Sequence, residues 1–204
     1  MTPSIRAIFL ALLCLLASGG NASAAMVLPL GLDRIHGDAK DVFLGECVSN
    51  SVELDPQSNR VVTYTSFKIL VTYKGKLSGR HTIKQIGGSL PEANLNVRVP
   101  GVPEFDIGKR YVVFLPQASN LGFSTPIGLH QGAFPVETDE TGVEHVGNGR
   151  DLGELLEKIP EGKMPSRVAD KIREIKNKNV PVRAKERSDM HLDDLKSILR
   201  GMGQ

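Results

Sequence analysis

The side chains able to do chemistry in this 204-residue chain are few and scattered. Its histidines are His36, His81, His130, His145 and His191, and no two share the i, i+4 spacing that puts a pair of zinc ligands on one helical face. A hydrolytic zinc site needs about three imidazole or carboxylate ligands converging around an open position. The nearest approaches are His36 with Asp38 and Asp41, and His145 with Glu137, Asp139 and Glu144. Both lie among turn-forming residues, so solvated loops are the expectation. Cys47, in Gly45-Glu46-Cys47-Val48, has no neighbouring base to make the thiolate a nucleophile needs, and reads as a small buried residue of a strand. No serine sits in a Gly-x-Ser-x-Gly turn. Gly87-Gly88 and Gly147-Asn148-Gly149 lack the strand-to-helix spacing and the lysine of a phosphate cradle, and read as turns. No catalytic residue, metal site or cofactor is expected. The leading function class is a non-enzymatic binding protein; the alternatives are a regulator or inhibitor of an extracellular metalloprotease and, second, an envelope enzyme with an unrecognised site.

Two stretches are candidates for recognition. The excursion from Gly87 to Phe105 carries Pro91, Pro100 and Pro103, which remove backbone donors and argue against a continuous central strand. Loops held by a rigid sheet commonly carry recognition, so Gly87, Gly88, Leu95, Val97, Val99, Val102 and Phe105 are the candidate binding residues. The competing expectation is that Gly87, Gly88, Gly101 and Gly108 only permit corners of the chain. The second stretch, residues 163–187, holds nine bases against three acids. Within it Lys171, Arg173, Lys176, Lys178, Arg183 and Lys185 are candidates for contact with an anionic surface, set against a solvated helix and linker.

The elements that must position these groups are mostly strands. Asp41 to Val48 reads as a buried strand, with Val42, Leu44 and Val48 on one face and Phe43 and Cys47 on the other. After the turn formers Asp55-Pro56-Gln57-Ser58-Asn59, Val61, Thr63, Thr65, Phe67, Ile69, Val71 and Tyr73 alternate over one long strand. His81 to Ile86 and Tyr111 to Leu115 are further strands, and Leu95, Val97 and Val99 suggest a short edge strand. Segments near Leu121 to Ile127 and Gln131 to Val136 are predicted to complete the sheet, with a turn at Glu137 to Gly142 and a return strand at Val143 to Val146. Then the period changes. Leu152, Leu155, Leu156 and Ile159 mark one helical face, Val168, Ile172 and Ile175 a second, and Leu192, Leu195, Ile198 and Leu199 a third. Pro160, Pro165 and Pro181 separate them, and Ser188 is the expected N-cap of the last helix, with Asp189 in its first turn. The last helix is expected to dock and the middle one to be mobile.

The N-terminus has the grammar of an export signal: Arg6, an apolar run from Ala7 to Ala17, then Ala22-Ser23-Ala24, with cleavage expected after Ala24. That run is shorter than the roughly 20 residues that cross a bilayer, so no transmembrane anchor is expected. Removing residues 1–24 takes Arg6 and no acid from a formal charge of +2, leaving about +1, which gives no argument for nucleic acid. It also removes Cys14, leaving Cys47 without an internal disulfide partner, so packing must stabilise the exported form, in the periplasm or outside the cell. The expected organisation is a signal peptide (1–24), an N-terminal segment (25–40), a β-barrel domain (41–147) and a helical C-terminal region with a basic linker (148–204). The fold class is mainly β with C-terminal helices (α+β), a closed barrel being favoured by the many short strands with no helices between them.

Phe105-Asp106-Ile107-Gly108-Lys109-Arg110-Tyr111-Val112-Val113-Phe114-Leu115, with Asp41 to Val48, Val71-Thr72-Tyr73-Lys74-Gly75 and Gly87-Gly88, resembles secreted bacterial proteins of uncharacterised function. The same set resembles the netrin-like and tissue-inhibitor-of-metalloproteinases group, over about residues 38 to 136. The resemblance implies an OB-like antiparallel five-stranded barrel and a binding role. It departs where inhibition would matter: that group chelates a protease zinc through a processed N-terminal cysteine, whereas the terminus expected here is Ala25-Met26. The expected partner is therefore an unknown protein or envelope component, with an extracellular metalloprotease or an anionic surface as the named alternatives.

Overall fold

The computed structural model describes residues 28–177 and 183–203, so the expected signal peptide, Pro181 and the candidate Lys178 lie outside the described residues. The chain enters through helix α1 (Leu32–Asp38). Two long strands come next, β1 (Asp41–Asp55) and β2 (Arg60–Lys74), then β3 (Arg80–Ile86). β1 runs past the predicted end at Val48 because Ser49 to Asp55 pair across a hairpin with residues 60–66. The hairpin turn is built by Asp55, whose carboxylate accepts from the Ser58 amide (2.7 Å) and hydroxyl (2.6 Å), and by Asn59 at φ 53°.

The long alternation in β2 does not keep one face throughout. Register shifts put Val48 of β1, and Leu70 and Tyr73 of β2, two-against-one with their partners. Each such bulge bends the strand and re-aims the side chains beyond it. Phe67 and Ile69 therefore face one core while Tyr73 packs against the other, and Val71 is left exposed.

After β3 come β4 (Gly88–Leu90) and β5 (Leu95–Val97), which pair only with each other. The main sheet resumes with β6 (Arg110–Leu115), β7 (Ala133–Thr138) and β8 (Glu144–Val146). Helices α2 (Leu152–Leu155), α3 (Ser166–Lys176) and α4 (Ala184–Ser188) lead to β9 (Met190–His191) and helix α5 (Leu192–Met202). Sheet order is β3-β2-β1-β6-β7-β8-β9, antiparallel throughout. The fold is mainly β with C-terminal helices. Among the described residues this order is open from β3 to β9. The segment predicted as a strand at Leu121 to Ile127 makes turns instead, with one parallel bridge from Phe123 to Lys84 of β3.

Each face of the sheet buries a separate core. On the first, Val42, Leu44, Val112, Phe114, Phe134 and Val146 meet Leu32 and Ile35 of α1 and the apolar stripes of the C-terminal helices. Those stripes keep the 3.6-residue period: Val168, Ile172 and Ile175 of α3, and Leu195, Ile198 and Leu199 of α5, are all buried. Burial of each Leu or Ile stabilises by about 1.5–3 kcal/mol, so both helices are held, including the one expected to be mobile. The helices are thus half of the main core rather than an appendage to the sheet. Ser188 closes α4 instead of capping the last helix, because Met190 and His191 pair with Val146 and His145 before α5 begins. His191 is the N-cap of α5, and Asp193 and Asp194 supply the acidic first turn.

On the second face Phe43, Cys47, Phe67, Ile83, Tyr111, Val113 and Leu115 form a smaller core. Its aromatic rings meet edge to face: Phe43 with Phe67 at 5.6 Å, Phe67 with Phe105 at 5.0 Å and Phe105 with Tyr111 at 4.9 Å. Phe105 comes from the excursion, not from a strand of the main sheet.

Candidate functional site

The excursion from Gly87 to Phe105 forms a flap beside the second core. Gly87 (φ 100°) and Gly88 (φ 134°) turn the chain out of β3. A Cβ at Gly87 would stand 2.7 Å from the Val97 carbonyl oxygen, and one at Gly88 2.7 Å from Thr63 Oγ1. Both positions therefore need glycine for backbone angle and close approach, whatever else they do. A turn at Pro91–Ala93, ended by left-handed Asn94, folds β5 back on β4.

Three attachments hold the returning arm. The Gly101 carbonyl accepts from the His130 amide at 2.9 Å. The Pro103 carbonyl accepts from Gln85 Nε2 at 3.3 Å. The Phe105 carbonyl accepts from Asn50 Nδ2 at 2.7 Å, while its ring, 4% exposed, fills the second core.

Between flap and sheet lies a cleft of about 580 Å³. Asn50, Thr63, Thr65 and Gln85 line its sheet side, and Val97 to Asp106 its flap side. Thr65 and Gln85 are buried polar residues, and Thr65 Oγ1 donates to Asn50 Oδ1 at 2.7 Å. The sheet side thus carries hydroxyls and carboxamides without a formal charge, whose donors bond to the flap or to one another. Of the sequence candidates, Gly87, Gly88, Val97, Val99, Val102 and Phe105 line this cleft. Leu95 is outside it, on β5, 39% exposed. Phe105, expected on the binding surface, serves chiefly as the hydrophobic anchor that pins the flap.

Cys47 is fully buried beneath this attachment, its Sγ 3.7 Å from the Phe105 carbonyl. Burial pushes its thiol up from the ordinary value, which disfavours the thiolate. A nucleophile here would be both inaccessible and protonated.

Sequence reasoning missed a buried ion pair at the far edge of the sheet. Lys84 Nζ lies 2.7 Å from Asp55 Oδ1, with side chains 7% and 3% exposed. The ammonium also donates to the Leu121 carbonyl at 2.8 Å and lies 4.7 Å from the centre of the Phe123 ring. Asp55 additionally accepts from Ser58 and from the Tyr64 hydroxyl at 3.2 Å. Lys84, and after it Ser58, hold the Asp55 carboxyl well below the usual carboxylate range. With every charge partnered, the pair clamps the β1–β2 turn, β3 and the loop around Phe123 together. Lys84 is buried beside Ile83 and Gln85, and the loop that covers it carries no strand pattern.

Four bases of the basic stretch are paired with acids, most of them from elsewhere in the chain. Arg173 pairs with Glu161 and Asp170, Lys185 with Glu137 at 2.7 Å, Arg167 with Asp194 and Arg187 with Asp151. Lys171 donates to the Asp189 carbonyl, and the Arg183 amide, at the N-cap position of α4, donates to Glu186 Oε2 at 3.3 Å. Lys176 is exposed. A smaller pocket of about 290 Å³ at this place mixes Lys171, Arg183 and Lys185 with Glu137, Asp139, Glu186 and Asp189, so it presents no single sign of charge.

Nor do the two histidine groupings converge. Among the described residues no group of three His, Cys, Asp or Glu side chains is arranged to hold a metal ion. His145 Nε2 lies 2.8 Å from Asp139, whose other carboxylate oxygen organises the 139–143 turn, and its ring meets that of His191 at 5.0 Å. His36 lies in α1, buried, and His81 is half-buried in β3. Burial lowers both pKa values below the ordinary 6.5, with Lys74 adding to the effect at His36 and Lys40 at His81, where Asp41 opposes it. No helix among the described residues is long and apolar enough to cross a membrane.

No protein-family model matches the chain, and no curated protein matches it either.

Proposed function

We propose that this chain is an exported, non-enzymatic binding protein whose partner is received at the cleft between the flap and the sheet. The observation that carries the reading is the construction of that cleft. A flap of irregular chain is fixed at Gly101 to the turn before β7 and at Pro103 and Phe105 to the sheet, yet leaves a cavity of about 580 Å³ lined with hydrogen-bonding groups. Proteins commonly hold recognition loops in this way, pre-ordered so that binding does not have to pay their entropy. Export is the reading of the sequence pattern at residues 1–24.

The finer fold reading belongs to the same proposal. We read residues 41–147 as a partly closed OB-like, netrin-like barrel in which the loop around Phe123 takes the place of a closing strand. The bulges at Val48, Leu70 and Tyr73 and the Lys84 to Phe123 bridge support it. The zinc-chelating inhibition of the metalloproteinase inhibitors is not carried over, since no cysteine stands at the expected new terminus.

The test is affinity capture from envelope and culture fractions, comparing the wild-type chain with Val97→Glu, which puts a charge into the cleft from a residue 37% exposed. A partner retained by the wild type and lost by the folded variant is the expected result. Identical capture by both would overturn the assignment to the cleft.

A further inference from the structure

We propose that the outer edge of β5 accepts an extended segment of a partner polypeptide as an added strand, laid along the flap at the mouth of the cleft. This rests on the binding reading above and gives its ligand a chemical class. β5 is paired on one side only, Gly88 with Val97, Ser89 with Asn96 and Leu90 with Leu95. The Val97 carbonyl is turned inward toward Gly87. In an antiparallel ladder neighbouring residues alternate in the direction of their main-chain groups, so Asn96 directs its N–H and C=O to the outer edge. Among the described residues the main chains of Asn96 and of Arg98, the next outward position, make no hydrogen bond outside the β4–β5 ladder. An unpaired donor and acceptor at the two-residue period of a strand is a template for another strand.

The side chains around that edge agree. Leu95 and Val97, 39% and 37% exposed, flank Asn96 on one face and would meet alternate side chains of a guest strand. The adjoining sheet side, Asn50, Thr63, Thr65 and Gln85, carries no formal charge, and on the flap side Arg98 pairs with Glu104 and Asp106 with Lys109, so the cleft presents no single sign of charge to the guest. Phe105 is the one aromatic residue lining the cleft, and its ring is consumed by the core. A nucleobase, which such sites hold by stacking, has no platform there. Main-chain hydrogen bonding remains as the source of affinity, and that selects a polypeptide.

The test pans a phage-displayed library of random heptapeptides against the full chain, then synthesises the most enriched peptide with single N-methyl groups at each position. Strand addition needs every second guest amide, so N-methylation is expected to weaken binding about tenfold at alternate positions and leave the intervening ones unchanged. Amide exchange at Asn96 should slow in the complex, and Asn96→Pro, which removes the outward donor, should abolish binding. Should that variant loosen the flap, the N-methyl series still decides, because it alters the guest alone. Binding that is lost in Val97→Glu but indifferent to the N-methyl pattern would overturn strand addition and leave the cleft reading standing. Binding untouched by Val97→Glu would overturn both. Failure of any peptide to enrich would overturn the polypeptide class, while partner capture from cell fractions still tests the cleft on its own.

Discussion

The two faces of the sheet bury similar kinds of side chain and come to different ends. The helix-covered face is sealed by long aliphatic stripes from α1, α3 and α5 against Val42, Leu44, Val112 and Phe114. The flap-covered face has a compact aromatic core, pinned by one residue of irregular chain, and beside it a cleft lined with hydrogen-bonding groups. Regular helices can satisfy their own backbone and so close a surface completely. A flap of irregular chain does not satisfy its own backbone in this way.

Truncation of a core phenylalanine on each face should separate the two roles most strongly. Phe114→Ala is expected to lower global stability by about 3–5 kcal/mol, measured by denaturant unfolding with an unchanged m-value. Phe105→Ala removes a ring of the same size, but its first effect should be local. Amide exchange across residues 95–106 should accelerate well before the sheet opens, and partner capture should weaken. If both variants unfolded the whole protein alike, the distinction between a sealed face and a pinned flap would fail.

Next in size is the clamp at the edge of the sheet. Lys84→Ala leaves the Asp55 carboxylate buried without its counter-charge, so a fall in melting temperature second only to Phe114→Ala is expected. Combining Lys84→Met with Asp55→Asn removes both charges, keeps an acceptor for Ser58, and should recover most of the loss. No recovery would mean that the pair itself, not relief of an unpaired charge, is what holds the turn.

How legible each residue was in the sequence depends on where its partners lie. The strand at Tyr111 to Leu115 and the helical stripes of Val168, Ile172 and Ile175 declare themselves, because their partners recur at a fixed period along the same segment. Lys84, Asp55 and the basic stretch do not. Lys84 is buried by a loop some forty residues away, and Arg173 and Lys185 are neutralised by Glu161 and Glu137, which a local charge count cannot anticipate. The cleft was half legible: prolines and glycines marked the excursion, but its sheet side, Asn50, Thr63, Thr65 and Gln85, comes from three different strands. Tyr73 changes faces because bulges carry no reliable signature in one sequence.

A smaller effect comes from pH. The folded-state pKa values of His36 and His81 lie below 6.5, so below that pH the unfolded chain binds more protons than the folded one. Their contribution to stability is in full above about pH 6.5 and is lost as pH falls through the lowered folded values. Melting temperature should therefore decline from pH 7 to pH 5, and less steeply in His36→Gln, a comparison that reports on the helix-covered face since α1 packs there. A decline of equal slope in the variant would show that His36 does not contribute to it.

Smallest is the effect expected at Cys47. Cys47→Ala should cost about 1 kcal/mol, in keeping with a small buried group, and the wild-type thiol should react with an exogenous disulfide reagent only as fast as the protein opens. Fast labelling of the native protein would contradict the burial that ties the second core to the flap.

The most direct test of the difference between the two faces is paired capture from envelope and culture fractions, with Val97→Glu in the cleft and Glu174→Lys on the exposed side of α3, both checked for native melting. If the cleft is the recognition surface, a partner is retained by wild type and Glu174→Lys and lost by Val97→Glu. A partner lost only with Glu174→Lys would contradict this, moving recognition to the helices and leaving the flap a structural cover.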